Sequence, residues 1–462
     1  LIFKYNKDNL ANALLFIFLS LVFVAKVLNV NFLLYPAIIA VAASLCLGNN
    51  SFRVGACLLL VPNIRLLDSL NISFGINLLI ALPVFIYLFE RRRVNFAAAM
   101  HVIIIEIWDL AHSFYFGQFN QILPNLSTVL VLYYVECVLT EKNIIINYAD
   151  ITRKFCFGCI YSGVLYMIHI TLYESLPLVD YISLWRLYGY AGDPNYFSLY
   201  LCVGVAMLFI IKERHKIRDY FYMLIMIGIT LLTASKMSLV TMLLILLYFA
   251  VYSLYSFLAN KNRFAQRIVL IGAVIGVLFS NRIADIIKST VIRLREKNGS
   301  NLDIDTITSN RFMIQNFYFA EMLANPMILL FGYGLQYNET DYFRRFFHMA
   351  HNTYMDIILS WGIPGLIIVF AVFFSILRKM RKIRTERLTL NHFLPLVVVG
   401  LTFLALSCLS ATMFWWMVCA VLLPLKGLKN ESANLLRSSR LQRTKIHFRF
   451  RNVHNGTNVS KA

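Results

Sequence analysis

Apolar runs of bilayer length follow one another from end to end of this 462-residue chain, and no other feature narrows its possible folds so far. A hydrocarbon core of roughly 30 Å needs about 20 mostly apolar residues of helix to cross it. Runs of that kind occur at 10–25, 32–47, 54–70, 72–89, 94–111, 122–139, 155–172, 196–211 and 220–233. A tenth lies between Lys236 and Lys261, and four more follow at 268–280, 353–377, 393–409 and 411–425. Hydrophobic residues make up 59% of the chain and charged residues only 14%, which is more apolar surface than a soluble protein of this length can hide. The expected class is an all-α polytopic membrane protein with about 14 transmembrane helices (12–14) and one large extracytoplasmic loop containing short helices.

Charge orients these runs. Glu90-Arg91-Arg92-Arg93 closes the fourth run and is the strongest topology signal, because short loops rich in Lys and Arg stay in the cytoplasm. With that cluster inside, so are the N-terminus, Arg53, 141–154, 212–216, 261–263, 378–384 and the basic tail. The net charge of +20 is then a topology signal, with the tail against anionic lipid, and no nucleic-acid partner is expected. The division predicted is an N-terminal transmembrane bundle over 1–281, an extracytoplasmic loop over 282–348, C-terminal transmembrane helices over 349–426 and a basic cytoplasmic tail over 427–462. The first run lacks a cleavable-signal pattern and reads as a true span. Of the eight cysteines, Cys156 and Cys159 have redox or metal spacing but no second pair, so they read as buried small hydrophobes.

Three polar stretches share the outer face: 186–196, the turn at Ser235-Lys236, and the loop that ends in His351-Asn352-Thr-Tyr354. Arginine offers a planar fork of donors suited to phosphate or diphosphate. Lys236 adds a compact cation, and an imidazole such as that of His351 takes a proton from a hydroxyl near neutral pH. Cations and a histidine, with no cluster of carboxylates, fit a phosphate-bearing substrate and an acceptor hydroxyl. They fit neither a glycosidase acid–base pair nor a metal site, so no metal and no cofactor is expected. Each residue also has a plainer reading: Arg186 and Lys236 as interface anchors, Arg311 as a solvated loop charge, Asn352 as the N-cap of the next helix.

Three pieces of this chain resemble the bacterial O-antigen ligase and O-antigen polymerase superfamily of glycan-assembly enzymes. They are Arg186-Leu-Tyr-Gly-Tyr-Ala-Gly-Asp193-Pro194-Asn195-Tyr196, then Thr233-Ala-Ser235-Lys236, and a third set of Ser309-Asn310-Arg311, Gly332-Tyr-Gly334, His351-Asn352-Thr-Tyr354 and Trp361-Gly362-Ile-Pro-Gly365. Order and membrane side agree with the family from about residue 185 to 366. The resemblance implies transfer of a glycan from undecaprenyl diphosphate to an acceptor, without metal or nucleotide sugar, at the outer face of a bacterial inner membrane. It implies Arg186, Lys236 and Arg311 as diphosphate ligands, His351 and Arg311 as catalytic residues, and Asp193, Asn195, Asn352 and Tyr354 as support. The sequence departs at Lys236, where the family usually has Arg; a lysine keeps the charge but loses the bidentate fork.

The Asp-Pro-Asn-Tyr form, Lys236 and the high span count lean towards a polymerase, which joins a chain to a lipid-linked repeat unit. A ligase, which passes the chain to lipid A core or another acceptor, stays open. Partners would be the lipid-linked oligosaccharide, a glycan or lipid acceptor, and a chain-length regulator and flippase. Intramembrane charge supports a different class: Glu106 and Asp109 share a helix face, and Arg65 lies near Asp68, as in a transporter or flippase path.

Overall fold

Polar residues at the ends of the apolar runs cap them into helices. The structure, a computed structural model, describes residues 2–70, 73–91, 93–117, 122–173, 186–211, 217–233, 235–260, 311–334, 337, 350–384, 388–404, 406 and 414–426. Within them lie α1 (Ile2–Val27), α2 (Leu34–Leu47), α3 (Asn50–Leu60), α4 (Ser73–Arg91), α5 (Phe96–Tyr115), α6 (Ile122–Thr140), α7 (Tyr148–Tyr173) and α8 (Pro194–Phe209). They continue with α9 (Ile217–Leu232), α10 (Lys236–Asn260), α11 (Arg311–Ala324), α12 (Pro326–Phe331), α13 (Thr353–Ile383), α14 (Leu394–Phe403) and α15 (Phe414–Lys426). No strand occurs among the described residues. Asn49 and Asn95 illustrate the caps: their side chains accept the Phe52 N–H at 2.9 Å and the Ala98 N–H at 3.3 Å, each filling an orphan donor of the first turn.

Thirteen of the fourteen runs meet a helix at close to the expected place. The run at 268–280, Trp185, Ser309-Asn310, most of the loop at 282–348, Cys408 and the tail at 427–462 lie outside the described residues, as do the domain boundaries at 281 and 348. Among the described residues four helices are both long and apolar enough to cross a bilayer: Lys7–Val27 within α1, then α5, α7 and α13. The 10 residues of α14 rise only about 15 Å.

The run at 54–70, expected as one span, breaks after Leu60 into a 3₁₀ segment, Val61–Leu70, in which Asn63 leaves helical geometry at φ −116° and ψ 17°. Pro62 has no N–H to continue the α-helix ladder, and the Asn63 side-chain amide instead donates to Leu59 O (2.8 Å) and Gly158 O (2.9 Å). Arg65, in this segment, is exposed.

The burial pattern is that of a membrane protein. Phe16 (70% exposed), Ile39 (69%) and Leu243 (65%) point outward, while Arg53, Glu136 and Asp219 are buried. These three are paired: Arg153 to Asp219 through two bonds of 2.9 Å, Arg53 to Glu90 at 2.8 and 2.5 Å, and Glu136 to Lys379 at 2.5 Å and His101 at 2.7 Å. Lys426 reaches the carbonyls of Glu141 and Ile144, and the Tyr87 hydroxyl donates to Glu141 at 2.6 Å. These contacts tie together the segments that carry the basic clusters, at one end of the bundle. At the centre stands α8, buried from Phe197 to Leu208 against α7, α9, α10 and α14. Cys156 and Cys159 are buried in α7, where the Cys156 thiol donates to Gly204 O of α8 at 3.5 Å.

Candidate active site

The far end of the bundle collects the motif residues, beginning at the N-terminus of α8. Asp193 caps that helix, its Oδ1 accepting the N–H groups of Asn195 (2.7 Å) and Tyr196 (3.2 Å), and Pro194 occupies the first turn, where a missing N–H costs nothing. The Arg186 guanidinium donates to Asn195 Oδ1 at 3.0 Å and to Thr233 O at 3.1 Å. Ser235 Oγ donates to the same Asn195 oxygen at 2.9 Å and accepts from Ser238 Oγ at 3.0 Å. Asn195 therefore joins the first two motifs, with Leu187 N–H to Leu232 O as a backbone tie (3.3 Å). Lys236 follows as the exposed first residue of α10.

Arg311 opens α11 and meets this corner. Burial pushes the Arg186 guanidinium below its ordinary pKa; Asp193 opposes that shift and Arg311 adds to it. Burial likewise pushes Arg311 down, opposed by Asp193 and Tyr196. Arginine stays protonated through shifts of this kind, so two guanidiniums bear on one carboxylate and on each other. Such a group favours an added anion.

His351 is tied to the same helix as Arg311 through Gln315. Gln315, one turn along the same face of α11, donates to His351 O at 3.2 Å and to Leu404 O at 3.2 Å. His351 itself has φ 52°, a left-handed conformation unusual for a residue with a side chain. Its surroundings impose that turn: Asn352 caps α13 through Tyr354 N–H (3.0 Å) and Met355 N–H (3.2 Å), and the Thr353 hydroxyl donates to Leu406 O. Tyr354 reaches Gly400 O at 3.4 Å, and the Tyr337 hydroxyl links Ala350 N–H (2.9 Å) to Asp356 (2.5 Å). Burial and the Asp356 carboxylate both push the Tyr337 phenol well up, so it stays a neutral donor.

The glycine motifs supply the scaffold. Gly332 (φ 68°, ψ −165°) and Gly362 (φ 68°, ψ −176°) occupy a region open essentially only to glycine. A Cβ on Gly332 would lie 2.5 Å from the Ser360 carbonyl carbon, and one on Gly362 would lie 2.5 Å from Leu330 O. The close approach lets Tyr333 N–H donate to Leu359 O (2.6 Å) and Gly334 N–H to Ser360 O (2.8 Å). The chain after α12 is thereby bonded to α13 at its kink. Helix α5 clasps the same junction: Trp108 donates to Trp361 O (3.0 Å), Trp361 donates to Asp109 (2.9 Å), and His112 bonds Phe331 O.

These contacts bring Arg186, Asp193, Asn195 and Arg311 together, with His351, Asn352 and Tyr354 adjoining through Gln315. Asp193, Asn352 and Tyr354 are fixed by structural bonds. Asp109, considered above as part of an ion path, holds the α13 kink; Glu106 is buried beside it. Sequence reasoning missed Gln315, the Ser235–Asn195 link and the Trp108–Trp361 clasp, none of which lies in a spaced pattern. Among the described residues no three His, Cys, Asp or Glu side chains gather as metal ligands would.

Residues 221–370 match the family model described as O-antigen ligase. No curated protein matches the chain. The match runs from α9 through the first half of α13, and so includes Ser235, Arg311 and His351 but not Arg186 or Asp193. It supports a function of the ligase or polymerase type on lipid-linked glycans, in a membrane. The match supports the resemblance of this chain to the O-antigen ligase and polymerase superfamily, whose members are glycosyltransferase-like enzymes.

Proposed function

We propose that this chain is a metal-independent polymerase that moves a glycan from an undecaprenyl-diphosphate carrier to the hydroxyl of a lipid-linked repeat unit. The observation that carries this reading is the mutual bearing of Arg186 and Arg311 on one carboxylate, Asp193, with His351 bonded to the helix that Arg311 opens. In the reaction, His351 accepts the proton of the acceptor hydroxyl as its oxygen bonds the anomeric carbon. The bond from that carbon to the diphosphate oxygen breaks, and its electron pair leaves with the carrier diphosphate. The Arg186 guanidinium, already fixed by Asn195 and Thr233 O, stabilises that growing charge without reorganising, with Arg311 as the second cation. Lys236 would contribute a third cation. The site faces outside the cytoplasmic membrane because the basic segments occupy the opposite end of the bundle. A chain-length regulator and a flippase would complete the assembly line.

The description of the matched domain favours a second reading, a ligase delivering the chain to lipid A core or another acceptor. Purified protein given undecaprenyl-diphosphate oligosaccharide, with chelator present, separates them. Long glycan ladders are the expected product. Transfer only when a lipid acceptor is added makes it a ligase; lipid scrambling with no new glycosidic bond makes it a flippase and overturns the proposal.

A further inference from the structure

We infer that Arg65 is a third guanidinium of the anion site, binding the same substrate diphosphate as Arg186 and Arg311. The inference rests on the reading above and extends it to a residue outside every motif. Arg65 belongs to the 3₁₀ segment created by the break at Pro62, and its N–H donates to Tyr190 O at 2.9 Å, in the loop before α8. Its side chain lies directly on Gly192: a Cβ there would fall 2.0 Å from Nε, 2.3 Å from Cζ and 2.5 Å from Cδ. Gly192 precedes Asp193, the carboxylate that acts on both other arginines. Three segments distant in sequence therefore each bring one guanidinium to the Gly192–Asp193 corner.

Charge and access support the assignment. Arg65 is exposed, so a substrate group can reach it. Asp193 offsets one of the three guanidiniums, so the arginines keep net positive charge for an anion, with Lys236 as a further cation. A diphosphate diester carries two negative charges, one on each phosphate. A planar fork on each side of such a group allows both phosphates to be held at once. The glycine at 192 is needed for this arrangement, since any side chain would push the guanidinium away.

The test is calorimetric titration of inorganic pyrophosphate into the full chain in detergent, for wild type, Arg65→Gln, Arg65→Lys and Arg311→Gln. Arg65→Gln should weaken binding about tenfold or more, the loss expected for one hydrogen-bonded charge, and should flatten its dependence on salt. Arg65→Lys should recover part of the affinity at an unchanged unfolding temperature, which a purely structural role would not predict. If Arg65→Gln does not fold, Arg65→Lys decides, with weakened binding expected. Wild-type affinity in every Arg65 variant that folds overturns the inference, and if Arg311→Gln is weakened alongside, the proposed function stands. No pyrophosphate binding by wild type overturns both.

Discussion

Replacing Gly332 with alanine tests whether the glycine contact between α12 and α13 holds the site together. Two costs can be worked from the geometry. Alanine at φ 68° and ψ −165° occupies a glycine-only region, at about 1–3 kcal/mol. Its Cβ would also sit 2.5 Å from the Ser360 carbonyl carbon and 2.6 Å from Trp361 N, both backbone atoms that cannot swing aside, and such overpacking costs about 1–3 kcal/mol. The total of roughly 2–6 kcal/mol is a large part of the stability of an ordinary domain. Relief would separate Tyr333 and Gly334 from Leu359 and Ser360, shifting the first turns of α13 and with them His351. Thermal unfolding in detergent should show a clear drop, and glycan transfer should fall further than stability explains. Gly228→Ala is the control: nothing lies within 4 Å of a Cβ there, and alanine in a helix interior gains up to about 1 kcal/mol. Wild-type unfolding and wild-type transfer in Gly332→Ala would refute the reasoning.

Three further outcomes follow from the same geometry. Lys236→Arg should keep transfer activity and Lys236→Ala should reduce it; equal loss from both would mean the position matters for shape and not for charge. Asn195→Ala removes the acceptor shared by Arg186 and Ser235, and should lower kcat/KM about tenfold or more while changing the unfolding temperature little; unchanged kinetics would remove Asn195 from the site. In a cysteine-free background, a cysteine replacing the exposed Asn316 should react with an impermeant thiol reagent in intact cells, and one replacing the exposed Lys382 only after lysis. The reverse pattern would invert the orientation.

Helix positions were legible in the sequence because the hydrophobic runs and their polar ends are local signals; Asp193 and Asn352 cap where a reader of motifs would put a boundary. How far each helix reaches was not, since a run such as 54–70 gives little warning that Pro62 and Asn63 divert it. The convergence of Arg186 with Arg311 followed from assigning both to one membrane side, though not their common carboxylate. Arg65 and Asp109 looked alike from sequence, as charges inside apolar runs. Their neighbours separate them: Trp361 for Asp109, Gly192 for Arg65. Such partners are more than a hundred residues away in the chain and leave no spacing to read.

The central claim is that Arg311 and His351 do chemistry on a diphosphate-linked glycan. Single-turnover transfer from purified undecaprenyl-diphosphate oligosaccharide, measured for wild type, Arg311→Ala and His351→Ala in the same detergent, tests it most directly. Both variants should remain folded and lose transfer by at least about a hundredfold, the scale of a general base or a charge-stabilising donor. Glycan product formed at the wild-type rate by either folded variant would contradict it.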